Sequence, residues 1–244
     1  MKRRWIPYLV VTVLSFLPSL ALAQSLTLDL GEGASTTGRI LQLIILTTFL
    51  SVAPSILIMV TSFTRIVVVL SFLRTALGTQ NTPPQMVMAS LAVFLTIFIM
   101  APTFQESYQQ GIAPLISGKV NEMEALNLAV KPLHAFMLKH TRDKDIGLFL
   151  EISKTPMPDT PEATPLTVLI PSFMISELRR AFEIGFLIFI PFVIIDMVVS
   201  SVLMSMGMMM LPPTMIAMPF KIIFFVLIDG WYLIVGSLVK SFGV

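Results

Sequence analysis

Two residue types that often build active sites are scarce in this chain, which has no cysteine and only two histidines, His134 and His140. Without cysteine it can form neither a disulfide nor a thiolate metal site. The two histidines are six residues apart, so they do not share a helix face, and there is no HExxH motif. We therefore predict that the protein has no metal centre.

Motifs of enzymatic chemistry are also absent. The sequence shows no glycine-rich phosphate loop, no catalytic triad and no paired-carboxylate site. We predict no cofactor and no enzymatic activity. Any energy for transport would then have to come from a partner protein or from an ion gradient.

Charge is the other property of which the chain has little. Only 12% of its 244 residues are charged, 55% are hydrophobic, and the mean hydropathy is +0.88. A soluble domain of this size cannot bury so much apolar surface, so a bilayer or closely packed partners must cover it. The composition predicts an integral membrane protein, and its long apolar runs predict an all-α fold.

Residues 1–23 have the features of a cleaved signal peptide. The basic segment Lys2–Arg4 precedes the apolar segment Ile6–Leu20, and Ala21–Ala23 is a small-x-small cleavage site. The alternative is an uncleaved first helix. Cleavage takes the count of Lys and Arg from 16 to 13 against 14 Asp and Glu, so the basic isoelectric point gives no reason to predict nucleic-acid binding.

Residues 24–39 are polar and read as a flexible N-terminal segment, and two hydrophobic regions follow. The first covers residues 40–105 and the second covers residues 166–244. Together they predict four spans, namely residues 40–64, 85–105, 166–211 and 214–239. Helix breaks are predicted at Pro54, at residues 78–84 with Pro83 and Pro84, and at Pro212 and Pro213.

Residues 106–165 form a more polar insert between the hydrophobic regions. Residues 125–151 have apolar positions three or four apart, which predicts amphipathic helix, and residues 155–165 form a proline-rich linker. A cleaved signal would place the segment with Arg65 and Arg74 in the cytoplasm, as the positive-inside rule favours. The insert is then expected on the periplasmic side of a bacterial inner membrane.

A charged cluster interrupts the second hydrophobic region. Helical spacing would pair Glu177 with Arg180 and Arg179 with Glu183. The cluster is either a self-neutralised helix at the membrane interface or a network that connects subunits or lines a transport pathway, and the sequence favours neither interpretation.

Three further charges lie in apolar surroundings. Asp196 has no basic residue within four positions, so its partner would be Lys221 or a basic residue of another subunit. Structural pairing is favoured over a proton-relay role. Asp229 follows Lys221 by two helical turns and is too far away to pair with it along a straight helix.

Methionines are concentrated at Met206, Met208, Met209 and Met210, beside Gly207 and before Pro212–Pro213. The glycine and prolines predict an irregular loop, which at membrane depth is tolerated only within protein or beside water. Methionine is flexible and polarizable, so the tract could close a constriction as a gasket. Ordinary core packing is the alternative interpretation.

Three segments resemble the FliP/SctR family of protein-export components. They are Ser62–Pro84, Pro171–Phe186 and Asp196–Pro213, and the signal sequence and insert are more similar to the flagellar branch. The resemblance implies kinked, hairpin-like helices and a pentameric ring that joins FliQ, FliR and other gate proteins in the flagellar basal body. Its type III export gate would pass unfolded flagellar proteins, and Met208, Met209 and Met210 would belong to the gasket.

The main competing hypothesis is a stand-alone membrane transporter that couples transport to protons through Asp196 and Asp229. Such transporters often have internal repeats, but the halves of this chain differ in length, charge and motif. A scaffold that only recruits other proteins is a third possibility, and the methionine tract argues against it.

Overall fold

The computed structural model describes residues 36–79, 82–208 and 210–243, and these residues form helices and loops without a strand. The predicted signal peptide and most of the predicted flexible segment lie outside the described residues. The chain divides into two compact units, Met1–Ser51 and Val52–Val244. The described helices are α1 (Thr36–Met59), α2 (Phe63–Leu77), α3 (Gln85–Ser107), α4 (Ala113–Ile116), α5 (Glu122–His140), α6 (Asp143–Ser153), α7 (Leu166–Ser205), α8 (Pro213–Leu227) and α9 (Gly230–Lys240).

Two of the three proline breaks lie where the sequence predicts them. Helix α3 begins directly after Pro84, and α8 begins at Pro213 after a non-helical segment. Proline at the first turn of a helix is favourable because the missing N–H would have no partner in the helix.

The break predicted at Pro54 is wrong, because α1 continues through this residue to Met59. The interruption comes at residues 60–62 instead. There the Thr61 hydroxyl donates to the Ile58 carbonyl at 3.1 Å, and the Phe63 N–H donates to the Thr61 oxygen at 3.4 Å. A hydroxyl that bonds nearby backbone in this way competes with regular helical hydrogen bonds.

The boundary predicted at residue 105 is also wrong. Helix α3 passes Glu106 and runs through a π turn, Tyr108–Ile112, into α4, so that Gln85–Ile116 is one apolar helical segment of 32 residues. A π turn adds one residue to a helical turn without ending the helix. Gly111 allows α5 to pack closely here, since a Cβ at Gly111 would lie 2.5 Å from the Ala125 carbonyl oxygen.

Two described helical segments are long and apolar enough to cross a membrane, Gln85–Ile116 and α7. A third candidate is α8 with α9, which are bent by 63° at the break between them. The sequence predicts four spans. The fourth would need α1, where the apolar stretch Leu43–Ile56 is shorter than the roughly 20 residues of a full span.

Helix α7 has 40 residues, so it is about 60 Å long, twice the thickness of the hydrocarbon core. Helix α2 packs along it. Gly185 of α7 makes this approach possible, because a Cβ there would lie 2.5 Å from the Phe72 ring of α2. The main buried cluster joins α2, α3, α7 and the C-terminal segment through Ile66, Val69, Leu70, Met88, Ala92, Ile99, Ala181, Leu238 and Phe242.

The insert is helical, and it packs on the N-terminal half of α7. Its predicted helix is divided into α5 and α6 by an extended turn at Thr141 and Arg142. The buried Asp145 fixes α6 to α7, since its carbonyl accepts from the Ser172 hydroxyl at 3.1 Å and its carboxylate accepts from the Ser176 hydroxyl.

Candidate functional site

The most deeply buried charges form an ion pair between α2 and α7. Arg65 donates from Nε to Glu177 Oε2 at 2.8 Å, and a second bond joins Nη2 to Oε1. The two side chains are 4% and 0% exposed. A bidentate pair of this kind offsets part of the desolvation cost of both charges.

This geometry corrects the pairing expected from helical spacing. Glu177 pairs with Arg65, which is 112 residues away, and does not pair with Arg180. Arg65 also lies within a helix, since it is buried in α2. A single sequence contains no signal for a contact at this separation, and Arg65 was not predicted to be a buried charge.

Arg65 also binds the C-terminal segment. Its Nη1 donates to the Ser241 carbonyl at 3.1 Å and to the Ser241 hydroxyl at 2.9 Å, and its guanidinium lies 3.8 Å from the centre of the Phe242 ring. His140 packs against the same ring. Burial, with a smaller contribution from the positive charges of Arg65 and Lys139, lowers the pKa of His140 to about 4.

The remaining charges of the interrupting cluster are exposed. Arg179 donates to Glu183 at 2.9 Å, as the helical spacing predicts, and Arg180 binds the same carboxylate at 3.4 Å. The three side chains are between 45% and 58% exposed. Two arginines share one carboxylate, so this surface of α7 carries a net positive charge.

A second ion pair joins α7 to α8. The Lys221 ammonium donates to Asp196 Oδ2 at 2.6 Å and to the Ala76 carbonyl of α2 at 3.2 Å. Lys221 is therefore the partner of Asp196 among the alternatives that the sequence left open. The other carboxylate oxygen, Oδ1, is buried and has no hydrogen-bond partner among the described residues.

Asp229 is not a buried charge, contrary to the sequence-based expectation. It is exposed at the bend between α8 and α9 and has a left-handed backbone conformation, with φ of 52°. Its position at the helix break explains the exposure, since the side chain lies outside both helices.

The methionine tract lies in the loop between α7 and α8, and we refer to residues 206–212 as the Met loop. Helix α7 ends in a Schellman motif, in which the Met208 N–H donates to the Leu203 carbonyl at 3.0 Å and the Gly207 N–H to the Met204 carbonyl at 3.1 Å. Gly207 supplies the φ of +74° that this motif requires. The predicted irregular backbone is therefore present in the described part of the loop.

The described methionines of the Met loop do not pack into the core of the chain. Met206 is 62% exposed, Met208 is 43% exposed and Met210 is 98% exposed. Met209 lies outside the described residues. The alternative interpretation as core packing within one chain therefore does not hold for these three side chains.

Next to the Met loop, α7 and α8 form an apolar groove of about 490 Å³, lined by residues that include Val198, Val202 and Phe220. No three His, Asp or Glu side chains come together as a metal site in the part of the chain that the structure describes. The described residues thus offer buried ion pairs, an irregular segment with exposed methionines and extended apolar surface.

Comparison with known proteins gives consistent matches. A model of the FliP family matches residues 46–238. The flagellar biosynthetic protein FliP of Caulobacter vibrioides is 56% identical over 238 residues, which cover 97% of this chain and 90% of that protein. The protein of the same name from Bacillus subtilis is 57% identical over 211 residues, covering 86% and 94%, and that from Aquifex aeolicus is 45% identical over 234 residues, covering 95% and 98%.

Proposed function

This chain belongs to the FliP family, and on that premise we propose that it is a core subunit of the flagellar type III export gate. Copies of the chain would join FliQ, FliR and other export-gate membrane proteins around a channel through which unfolded flagellar proteins leave the cell. It is a structural component of the flagellum and not an enzyme. We place it in the bacterial inner membrane at the flagellar basal body, with the insert on the periplasmic side.

The Met loop is the observation that carries this proposal. An irregular loop with exposed methionines is costly in lipid, because its backbone groups would lack hydrogen bonds, but it suits the lining of a channel. A channel for many different polypeptides cannot rely on rigid recognition of one sequence. Flexible thioether side chains can separate around a chain and close again, so we propose that Met206, Met208, Met209 and Met210 form a gasket.

The ion pair between Lys221 and Asp196 supports the loop mechanically. Asp196 precedes Met206 by ten residues, and Lys221 follows Pro213 by eight, so the pair joins the two helices that carry the Met loop about 12–15 Å from its ends. This ion pair would hold α7 and α8 in position relative to each other while the loop side chains move.

The length and exposure of α7 support self-association. About 60 Å of apolar helix cannot lie entirely in a hydrocarbon core of about 30 Å. Exposed apolar side chains occur along α7 from Leu166 to Met204, over about 57 Å of helix, so protein must cover part of this surface. We propose that neighbouring copies cover it in a pentameric ring, with Arg179, Arg180 and Glu183 contributing to the contact between subunits. Glu177 would act within its own subunit.

A proton-coupled transporter is the weaker alternative. Its two candidate carboxylates are Asp196, which is paired with Lys221, and Asp229, which is exposed at a bend. This arrangement gives no reason to prefer a proton relay through the chain.

Native mass spectrometry tests the proposal. The protein would be extracted in detergent after expression alone and after co-expression with FliQ and FliR. A particle with several copies of this chain that retains FliQ and FliR is the expected result. A monomer or dimer under both conditions would contradict the export-gate proposal. The variant Glu183→Arg removes the one carboxylate that the exposed arginines share, and we expect it to lower the yield of the multi-copy particle.

A further inference from the structure

Half of the described methionines that are at least 43% exposed lie near the Met loop. The sequence has no cysteine and 17 methionines, so thioethers are its sole sulfur groups. Within twelve residues at the end of α7 and the start of α8, five described methionines are at least 43% exposed, namely Met204, Met206, Met208, Met210 and Met215.

The protein also contains buried methionines. Met100 is fully buried and Met137 is 1% exposed in the core. Met157 provides a different comparison, because it is 84% exposed in the proline-rich linker and far in sequence from the Met loop. These residues separate the effect of exposure from the effect of position.

We propose that the Met loop is a site of reversible methionine oxidation by two-electron oxidants such as hydrogen peroxide. The thioether sulfur attacks one peroxide oxygen, the O–O bond breaks, and the other oxygen leaves as water after proton transfer. The sulfur is oxidised by two electrons to the sulfoxide and the peroxide is reduced. A methionine sulfoxide reductase reverses the change with two thiols, which yield a disulfide and water.

The structure favours this loop over the core methionines for reasons of access. Oxidation requires contact between the sulfur and a dissolved oxidant, and the loop side chains project from irregular backbone after the end of α7. There is no thiol in the chain to react first. Met210, at 98% exposed, is expected to react fastest among the described loop methionines.

Oxidation would change what the loop can do. A sulfoxide is polar and chiral, so it disrupts methionine-rich contacts that depend on apolar packing. A closure of oxidised side chains would hold water where reduced side chains exclude it. This consequence rests on the proposed gasket function, and it makes the closed gate sensitive to oxidants and recoverable by reduction.

The experiment uses the complete gate complex reconstituted in liposomes and treated with increasing hydrogen peroxide. Peptide mass spectrometry measures sulfoxide at each methionine, and ion flux is recorded in parallel. We expect the loop methionines to react more slowly than Met157, because they contact one another in the closed gate, and on the order of tenfold faster than Met137. Ion flux should rise several-fold with loop oxidation and return after treatment with reductases MsrA and MsrB plus dithiothreitol.

Two variants test whether oxidation of the loop methionines causes the rise in ion flux. Replacing Met206, Met208, Met209 and Met210 by Leu keeps a similar volume but removes the oxidisable sulfur, so peroxide should no longer raise the ion flux. The matched control Met157→Leu should respond like the native complex. An unmodified loop under conditions that oxidise Met157 would overturn the inference, and so would an oxidised loop with unchanged flux.

The failure of this inference can be distinguished from failure of the gasket itself. If alanine replacements of the same four methionines leak while oxidised native protein does not, the proposed function stands and the oxidation inference is wrong. If neither leaks, both are wrong.

Discussion

Lys221 and Asp196 lie 2.6 Å apart between α8 and α7, and the same ammonium binds the Ala76 carbonyl at the C-terminal end of α2. One cation therefore joins three helices. A carbonyl at a helix C-terminus carries partial negative charge, so the buried Lys221 ammonium is stabilised by two acceptors.

We predict that Lys221→Met destabilises the protein by about 3 kcal/mol, since removing one partner leaves a charged carboxylate half-buried and unpaired. The measurement is the melting temperature of the detergent-extracted protein, together with the yield of the complex. Asp229→Asn is the matched control, because that carboxylate is exposed, and it should leave both quantities unchanged. A melting temperature for Lys221→Met equal to that of the control would contradict the assigned role.

Arg65→Lys is expected to be strongly destabilising although it keeps the charge. Lysine cannot make the two parallel bonds to Glu177 while it also binds Ser241 and stacks on Phe242. We expect a loss of about 2–4 kcal/mol in the free energy of unfolding. Arg179→Lys on the exposed surface is the control and should not change the melting temperature. Equal melting temperatures of the two variants would show that the buried geometry of the Arg65–Glu177 pair does not contribute to stability.

Because α2 and α7 pack closely at Gly185, we expect this glycine to be sensitive to substitution. Gly185→Ala should lower the melting temperature, because the new Cβ would lie 2.5 Å from the Phe72 ring. Shortening the ring in Gly185→Ala/Phe72→Leu should recover part of the loss. Gly147→Ala in α6 meets no atom within 4 Å, so it should be neutral or stabilising by about 0.5 kcal/mol. Identical effects of the two alanines would be inconsistent with the packing described.

His140 predicts a pH dependence of stability. Its pKa is about 4 in the folded protein and 6.5 when unperturbed. Between these values the unfolded state binds the proton and the folded state does not, so stability falls as pH falls. At pH 5 the loss relative to pH 7 is on the order of 1–2 kcal/mol. Comparison of native protein with His140→Gln between pH 7 and pH 5 isolates this effect, and parallel curves would refute it.

Local sequence patterns predicted the helical fold and several of its helix boundaries. The breaks before Gln85 and Pro213 follow from proline chemistry, and the Arg179–Glu183 pair follows from helical spacing. These features depend on residues within a few positions of one another. The irregular backbone after α7 was predictable for the same reason, since Gly207 and the two prolines affect the conformation of neighbouring residues.

Features that depend on distant contacts were not predictable. Nothing near Glu177 in the sequence points to Arg65, so helical spacing assigned its carboxylate to Arg180. Continuation of the helix past Glu106 depends on a π turn against α5, and the exposure of Asp229 depends on the 63° bend. Helix α1 is interrupted at residues 60–62 and not at Pro54, because the competing hydroxyl of Thr61 lies about two turns further along the chain.

The most direct test of the export-gate proposal is the ion conductance of the reconstituted gate complex with Met206, Met208, Met209 and Met210 replaced by alanine. Native mass spectrometry of the same sample would establish that the complex is assembled. We predict intact assembly and a clear increase in conductance of the closed gate, because alanine is too short to fill the constriction. An assembled variant with the conductance of the native complex would contradict the proposal that the Met loop seals the channel.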